Sequence, residues 1–298
     1  MKKLYAFDLV ILGYLTVLSA IVVAARPEGT AIYLGYHALV VLMIFMLSYA
    51  HRRFGGRFWT FCRHWYVILV VLAAFRELHY LVPAVHPFDD GRFDRVLASL
   101  DRRWFGDIDG ALLSAAAAAP LAVDLLHLCY WFYFASMLIA GGVLYARERW
   151  ESLREYVTVL MAGFYLSYLG YLLVPAIGPH HFYPERPPAL DGWAVGRHTH
   201  AALMTLEWRM PDAFPSGHAL MSMLVICLAW RYDRWTFRAV AGPALGCVIA
   251  TVALRYHYLV DVLASAALLP VALWGGTVLH RWWERPCGNS QLPTPNSQ

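Results

Sequence analysis

Charge is scarce in this sequence. Only 15% of its 298 residues are Asp, Glu, Lys or Arg, while 60% are hydrophobic and 15% aromatic. Soluble globular chains carry roughly 25% charged residues, so a water-facing globule is excluded. The formal net charge of +4 comes without a dense basic block or a nucleic-acid motif, which removes nucleic acid from the expected partners. Cysteine is also rare, with five in all. Cys129, Cys227 and Cys247 lie in apolar runs, and Cys62 and Cys287 lie in basic or polar segments. None of the five falls in the acidic loops, so a disulfide framework is not expected. Neither H-E-x-x-H nor another compact metal-ligand spacing occurs, and no internal repeat or soluble second domain is visible.

Long apolar runs are what the sequence has instead. A helix crossing a bilayer needs about 20 mostly apolar residues, and such runs lie near 4–25, 31–50, 65–85, 121–145, 156–177, 216–230, 239–254 and 258–279. The expected fold is an all-α, polytopic membrane helix bundle of about eight transmembrane helices. Two N-terminal helices occupy 1–64, a six-helix catalytic core 65–285 and a disordered cytoplasmic tail 286–298. The tail is polar and rich in Pro, Asn and Ser without periodicity. The first run follows Lys2 and Lys3 and exceeds the 7 to 15 residues typical of a signal h-region, so it reads as a span.

Orientation follows from the basic residues. With the N-terminus cytoplasmic, the short inner segments "MKK", "HRRFGGRFWTFCRH", "ARERWESLR", "RYDRWTFR" and the tail from Arg281 hold 14 of the 24 Lys and Arg. That is the bias the positive-inside rule requires. The outer loops then take Asp89, Asp90, Asp94, Asp101, Asp107 and Asp109, and both termini are inside. The same topology puts "VPAIGPHHFYPERPP", the start of the sixth span at His218 and the start of the eighth at His257 on one outer face.

Two of these stretches carry chemistry. In "RYHYLVD", His257 and Asp261 are i, i+4, one above the other on a helix. A carboxylate accepting from one imidazole nitrogen leaves the other as nucleophile or base. A structural hydrogen bond between helices is the plainer reading of the same pair. In "FPSGHAL", Pro215, Ser216 and Gly217 punctuate the start of an apolar helix, whose free first-turn amides form an anion site. His218 then stands where it could protonate a leaving oxygen; the plainer reading makes Ser216 an N-cap and His218 an interfacial side chain. Arg76 and Glu77, in "AAFRELHYLVP", lie towards the outer end of the third span and border a headgroup pocket by the functional reading of intramembrane charge, unless Arg76 only snorkels. The segment "DDGRFDRVLASLDRRWFGD" has the spacing of an interfacial helix.

"PSGH" followed by H-x-x-x-D about forty residues later resembles the type 2 phosphatidic acid phosphatase superfamily. "FDRVLASLDRRWFG", "LVPAIGP" and "RYHYLVDVLA" are similar to the branch of inositol phosphorylceramide synthases and their bacterial relatives, over about 90–279. The resemblance implies an integral-membrane lipid phosphatase or headgroup phosphotransferase, metal-independent and without cofactor, in a bacterial inner (plasma) membrane with its site facing the periplasm or exterior. It implies His257 as the phosphorylated nucleophile, Asp261 as its orienting acid, His218 as the acid for the leaving group, and Ser216 and Gly217 as phosphate contacts. The implied partners are a phosphate-bearing lipid and the bilayer. Two family positions differ. The Arg six residues before the nucleophilic His is Thr251, which leaves Arg255 to substitute. The first Lys of the Lys-x6-Arg-Pro motif is Pro179, which leaves Arg186 with His180 or His181. Two other readings remain: a zinc-dependent membrane hydrolase using these histidines, and a lipid transporter without phosphoryl chemistry.

Overall fold

The computed structural model describes residues 4–86, 91–183, 185–206 and 211–284. The proposed tail at 286–298, and Asp89 and Asp90, lie outside the described residues. Twelve α-helices follow one another: α1 Ala6–Ala25, α2 Thr30–Phe54, α3 Gly56–Val85, α4 Arg92–Phe105, α5 Ile108–Ala118, α6 Pro120–Ala146, α7 Trp150–Leu173, α8 Pro179–Phe182, α9 Gly196–Leu206, α10 Gly217–Tyr232, α11 Arg234–Ala253 and α12 Leu259–Glu284. A 3-10 turn, Pro188–Asp191, precedes α9. Among the described residues there is no strand. This is a polytopic all-α bundle and an integral membrane protein.

Among the described residues seven helices are long and apolar enough to cross a membrane: α1, α2, α3, α6, α7, α11 and α12. The eighth expected span, α10, has only 16 residues, about 24 Å at 1.5 Å per residue. It is short because Ser216 caps it at one end and Asp233, the N-cap of α11, closes the turn at the other. Residue burial places α7 at the centre, with 72% of its most apolar window buried, and α2 at the periphery with 17%. Where α12 crosses α7, a Cβ on Gly276 would stand 2.8 Å from Val159 Cα. Only glycine lets two backbones come so near, a common device of membrane helix packing.

The helices alternate in direction, so their connections sort into two ends. One end holds the turns between α2 and α3, α6 and α7, and α10 and α11. It is knotted by a buried ion pair of Asp8 with Arg63, to which Tyr66 adds a hydrogen bond, and by a half-buried pair of Arg154 with Glu284, which also accepts the Ala6 amide at 3.1 Å. The other end holds α4, α5, α8, the 3-10 turn and α9, with α4 packed on α12, α5 on α11 and α9 on α6. His218 and His257 lie at this second end.

Candidate active site

α11 ends at Ala253, and the chain reverses through Leu254–Tyr258 before α12 begins. Arg255 makes the reversal in the left-handed region, at φ 64°, which L-residues other than Asn and Asp seldom adopt. Past it, the His257 amide reaches back to the Thr251 carbonyl at 2.8 Å. Thr251, which stands where the resemblance called for an arginine, thus contributes its backbone to the turn. His257 sits in this turn one residue short of Tyr258, not within the helix.

The His257 ring is fixed by its Nδ1. The nearest acceptor is the Ala213 carbonyl at 2.8 Å, with Asp261 Oδ2 behind it at 3.5 Å. With Nδ1 donating, Nε2 carries the lone pair. Asp261 is fully buried; its Oδ2 accepts the Tyr258 amide at 2.8 Å and its Oδ1 has no hydrogen-bond partner. The acid therefore caps its own helix while facing the histidine. Ala213 was invisible to sequence reasoning, because backbone carbonyls carry no sequence signal. Asp212, a plain acid in the sequence that its spacing did not single out, adjoins it; desolvation pushes its carboxyl up to about 6 against the opposing effect of His257.

His218 lies in the first turn of α10, its ring stacked 4.5 Å from Tyr130 and tilted 4.3 Å from Tyr133 of α6. Its centroid is 6.1 Å from that of His257. Ser216 is buried and accepts the Ala219 amide at 3.2 Å, the N-cap bond expected of it, while its own amide donates to the Asp261 carbonyl at 3.3 Å. A Cβ on Gly217 would overlap the Tyr171 hydroxyl. The tyrosines were present in the sequence as part of an apolar run, and nothing in their spacing set them apart from core aromatics.

Further histidines surround Tyr256. His180 lies 5.3 Å from its ring and 4.0 Å from that of His181, and His200 Nδ1 is 3.1 Å from the Tyr256 hydroxyl. Burial, and then the neighbouring His181, His257 and His200, holds His180 well below the usual imidazole range. Burial, followed by Arg186 and His127, lowers His200 to about 4. At neutral pH these two rings are hydrogen-bonding groups without charge.

The two arginines expected to hold phosphate have protein partners. Arg255 forms an ion pair with Asp109 of α5 at 2.9 Å and lies 4.6 Å over the Tyr183 ring. Arg186 donates to the Leu190 carbonyl at 2.6 Å and faces Asp191 at 3.4 Å. Arg255 and His257 share a pocket of about 110 Å³ with Asp101, Arg102, Asp109 and Tyr258. A cavity of about 120 Å³ between α3, α6 and α7 is almost wholly apolar and touches none of the expected site residues.

Arg76 and Glu77 do not join this group. Arg76 is exposed, over the Tyr80 ring at 5.6 Å. Glu77 is buried with His37 of α2, Nε2 to Oε1 2.8 Å, and His37 Nδ1 meets Ser19 of α1 at 2.7 Å. The carboxylate ties three helices together. Among the described residues, no cluster of three or more His, Cys, Asp or Glu is set to hold a metal ion.

Two carboxylates of α4 brace the site. Asp94 accepts the Ile177 and Gly178 amides at 3.0 and 2.9 Å and the Tyr258 hydroxyl at 3.1 Å. Asp101 accepts the Leu259 and Val260 amides at 2.8 and 2.9 Å, capping α12 just after His257. With this geometry in view, a family model described as the PAP2 superfamily matches residues 95–275, more than half of the chain. No curated protein and no solved structure gives a significant match.

Proposed function

From its membership of the PAP2 superfamily, to which this chain belongs by the match over residues 95–275, we propose that it removes or transfers the phosphoryl group of a membrane lipid through a phosphohistidine on His257. The observation that carries this reading is the pair of rings 6.1 Å apart, one of them with Nδ1 bonded to the Ala213 carbonyl at 2.8 Å. That bond leaves Nε2 as the free lone pair, and the separation accommodates one phosphorus centre between the histidines.

In the forward step Nε2 of His257 bonds to phosphorus as the P–O bond to the leaving group breaks, and His218 supplies the proton to the departing oxygen. In the second step water or a lipid hydroxyl attacks phosphorus, the P–N bond breaks, and His218 takes up the acceptor's proton. Water as acceptor makes a phosphatase; a lipid hydroxyl makes a headgroup transferase of the inositol phosphorylceramide synthase type. Asp261, 3.5 Å from Nδ1, stabilises the ring as positive charge develops on it. Phosphoryl transfer depends mainly on positioning and on cations around the equatorial oxygens. Arg255, which lines the same pocket as His257, is the candidate once the phosphate competes with Asp109 for it. With guanidinium groups in this role, turnover is expected without added metal.

The site faces the periplasm or exterior in this reading, with both termini cytoplasmic, because the opposite end carries the basic short loops. The two N-terminal helices serve as an accessory to a six-helix core. The deciding experiment traps phosphoenzyme from a radiolabelled lipid phosphate in the presence of a strong chelator. Label that is acid-labile and base-stable, present in the wild type and lost in His257→Ala, is the expected result. Trapped label on His257→Ala refutes the assignment, and loss of labelling on chelation, restored by zinc, returns the metal-hydrolase reading. Product identification with water and with a lipid alcohol as acceptor then separates phosphatase from transferase.

A further inference from the structure

Helix α4 contains two acidic residues, and both are turned inward. Asp94 and Asp101 are buried, whereas Arg92, Arg95, Arg102 and Arg103 are exposed together with Val96, Trp104 and Phe105. The exposed positions 92, 95, 96, 99, 102 and 103 form one stripe of an α-helix, and the buried positions 94, 97 and 101 form the opposite one. Withdrawal of the carboxylates leaves α4 an exposed stripe that carries guanidinium groups, Arg92, Arg102 and Arg103 among them, with Trp104 and Phe105 exposed at its C-terminal end. Basic stripes of this kind are drawn to anionic lipid headgroups, and Trp rings settle at the headgroup level.

The position of α4 suits that partner. It packs on the start of α12 at the end of the bundle where α10 begins. Since α10 is about 24 Å long and the hydrocarbon layer about 30 Å thick, α4 rides near the edge of that layer, within reach of headgroups.

The inward acids fasten the same helix to the turn that carries His257. Asp101 holds the amides two and three residues beyond it, and Asp94 holds the Tyr258 hydroxyl together with the Ile177 and Gly178 amides. A small displacement of α4 must therefore move or break five hydrogen bonds around the nucleophile's turn. We infer that α4 is a docking surface for anionic lipid headgroups, and that its seating on them positions His257 through Asp94 and Asp101. The positioning half rests on the reading of His257 as nucleophile; the docking half does not.

The test places the full-length protein in nanodiscs of phosphatidylcholine alone or with phosphatidylserine. Amide hydrogen exchange is followed at residues 177–178 and 258–260, and hydrolysis of a soluble aryl phosphate is measured in the same discs. Phosphatidylserine should slow the exchange and raise kcat at least about fivefold, the low end of coupling between sites, with KM little changed. The double variant Arg92→Gln, Arg103→Gln should keep the phosphatidylcholine rate and lose both responses. Asp101→Asn, which retains one good acceptor, should still bind the anionic surface but lose most of the kcat response. Identical exchange in the two discs, or a double variant that responds like the wild type, overturns the docking surface. A wild-type response in Asp101→Asn overturns the coupling. Slowed exchange with no hydrolysis by any form instead counts against the proposed phosphoryl chemistry and leaves the docking surface standing.

Discussion

Gly217→Ala separates two reasons for a glycine beside His218. In the phosphate-loop reading the glycine is there so that an anion can approach the backbone. The packing offers a different reason: the added Cβ would overlap the buried Tyr171 hydroxyl, while the next nearest atoms, Tyr171 Cζ and Ser167 Cβ, would be at 3.7 and 3.8 Å. Those two are ordinary contacts, so a single oxygen accounts for the clash. Helix propensity favours Ala over Gly by up to about 1 kcal/mol. Overpacking costs about 1–3 kcal/mol, and the net expectation is about 1 kcal/mol of destabilisation. The larger effect is on rate, because relieving the overlap moves the first turn of α10, and misplacing a reacting group by about 1 Å can lower activity about 100-fold. Tyr171→Phe removes the offending oxygen. The double variant Gly217→Ala, Tyr171→Phe should recover most of the lost activity, whereas Tyr171→Phe alone should remain within a few-fold of the wild type. Turnover of a lipid phosphate and of an aryl phosphate in detergent, with the thermal midpoint recorded alongside, measures each term. A double variant as inactive as Gly217→Ala would refute the packing argument in favour of direct phosphate contact.

Four further expectations use other parts of the structure. His218→Ala should lose most of its activity on a lipid phosphate, whose alkoxide needs a proton, and keep a larger fraction on an aryl phosphate; equal losses would remove His218 from the role of acid. Asp109→Asn should free Arg255 and tighten inhibition by vanadate, a phosphate mimic, by up to about fivefold, given the small energy of half-exposed ion pairs; unchanged inhibition would show that Arg255 does not reach the phosphate. His200 binds its proton less readily when folded, being lowered to about 4 from the usual 6.5, so the unfolded chain takes up a proton first as pH falls. Its contribution to stability is present above about pH 6.5 and is lost between there and about pH 4; the thermal midpoint of His200→Gln should vary less over that window, and an unchanged pH profile would contradict the assignment. Glu77→Ala leaves His37 without its acid and should destabilise the protein by about 3 kcal/mol while kcat at a permissive temperature stays near wild type; a selective loss of kcat would restore Glu77 to the headgroup pocket.

The sequence by itself determined the all-α membrane class, because hydrocarbon admits only segments whose backbone is internally satisfied, and long apolar runs advertise such segments directly. It also brought His218 and His257 to one end: span counting alone puts the starts of α10 and α12 on the same side. Helix α4 was legible as amphipathic for the same reason, since its leucines and charges keep the helical period. What the sequence could not decide was which polar group meets which. The Ala213 carbonyl outcompetes Asp261 for His257 Nδ1 by 0.7 Å, the difference between 2.8 and 3.5 Å, and a carbonyl leaves no mark in residue identity. Asp94 and Asp101 read in the sequence only as acids of an outer segment, and tertiary packing turned them onto amides 83 and 158 positions or more away in the chain. Glu77 looked like a candidate for the site until α1 and α2 supplied Ser19 and His37. A buried polar group must find a partner wherever the fold provides one, and that partner is chosen by how the helices pack, which local sequence does not encode.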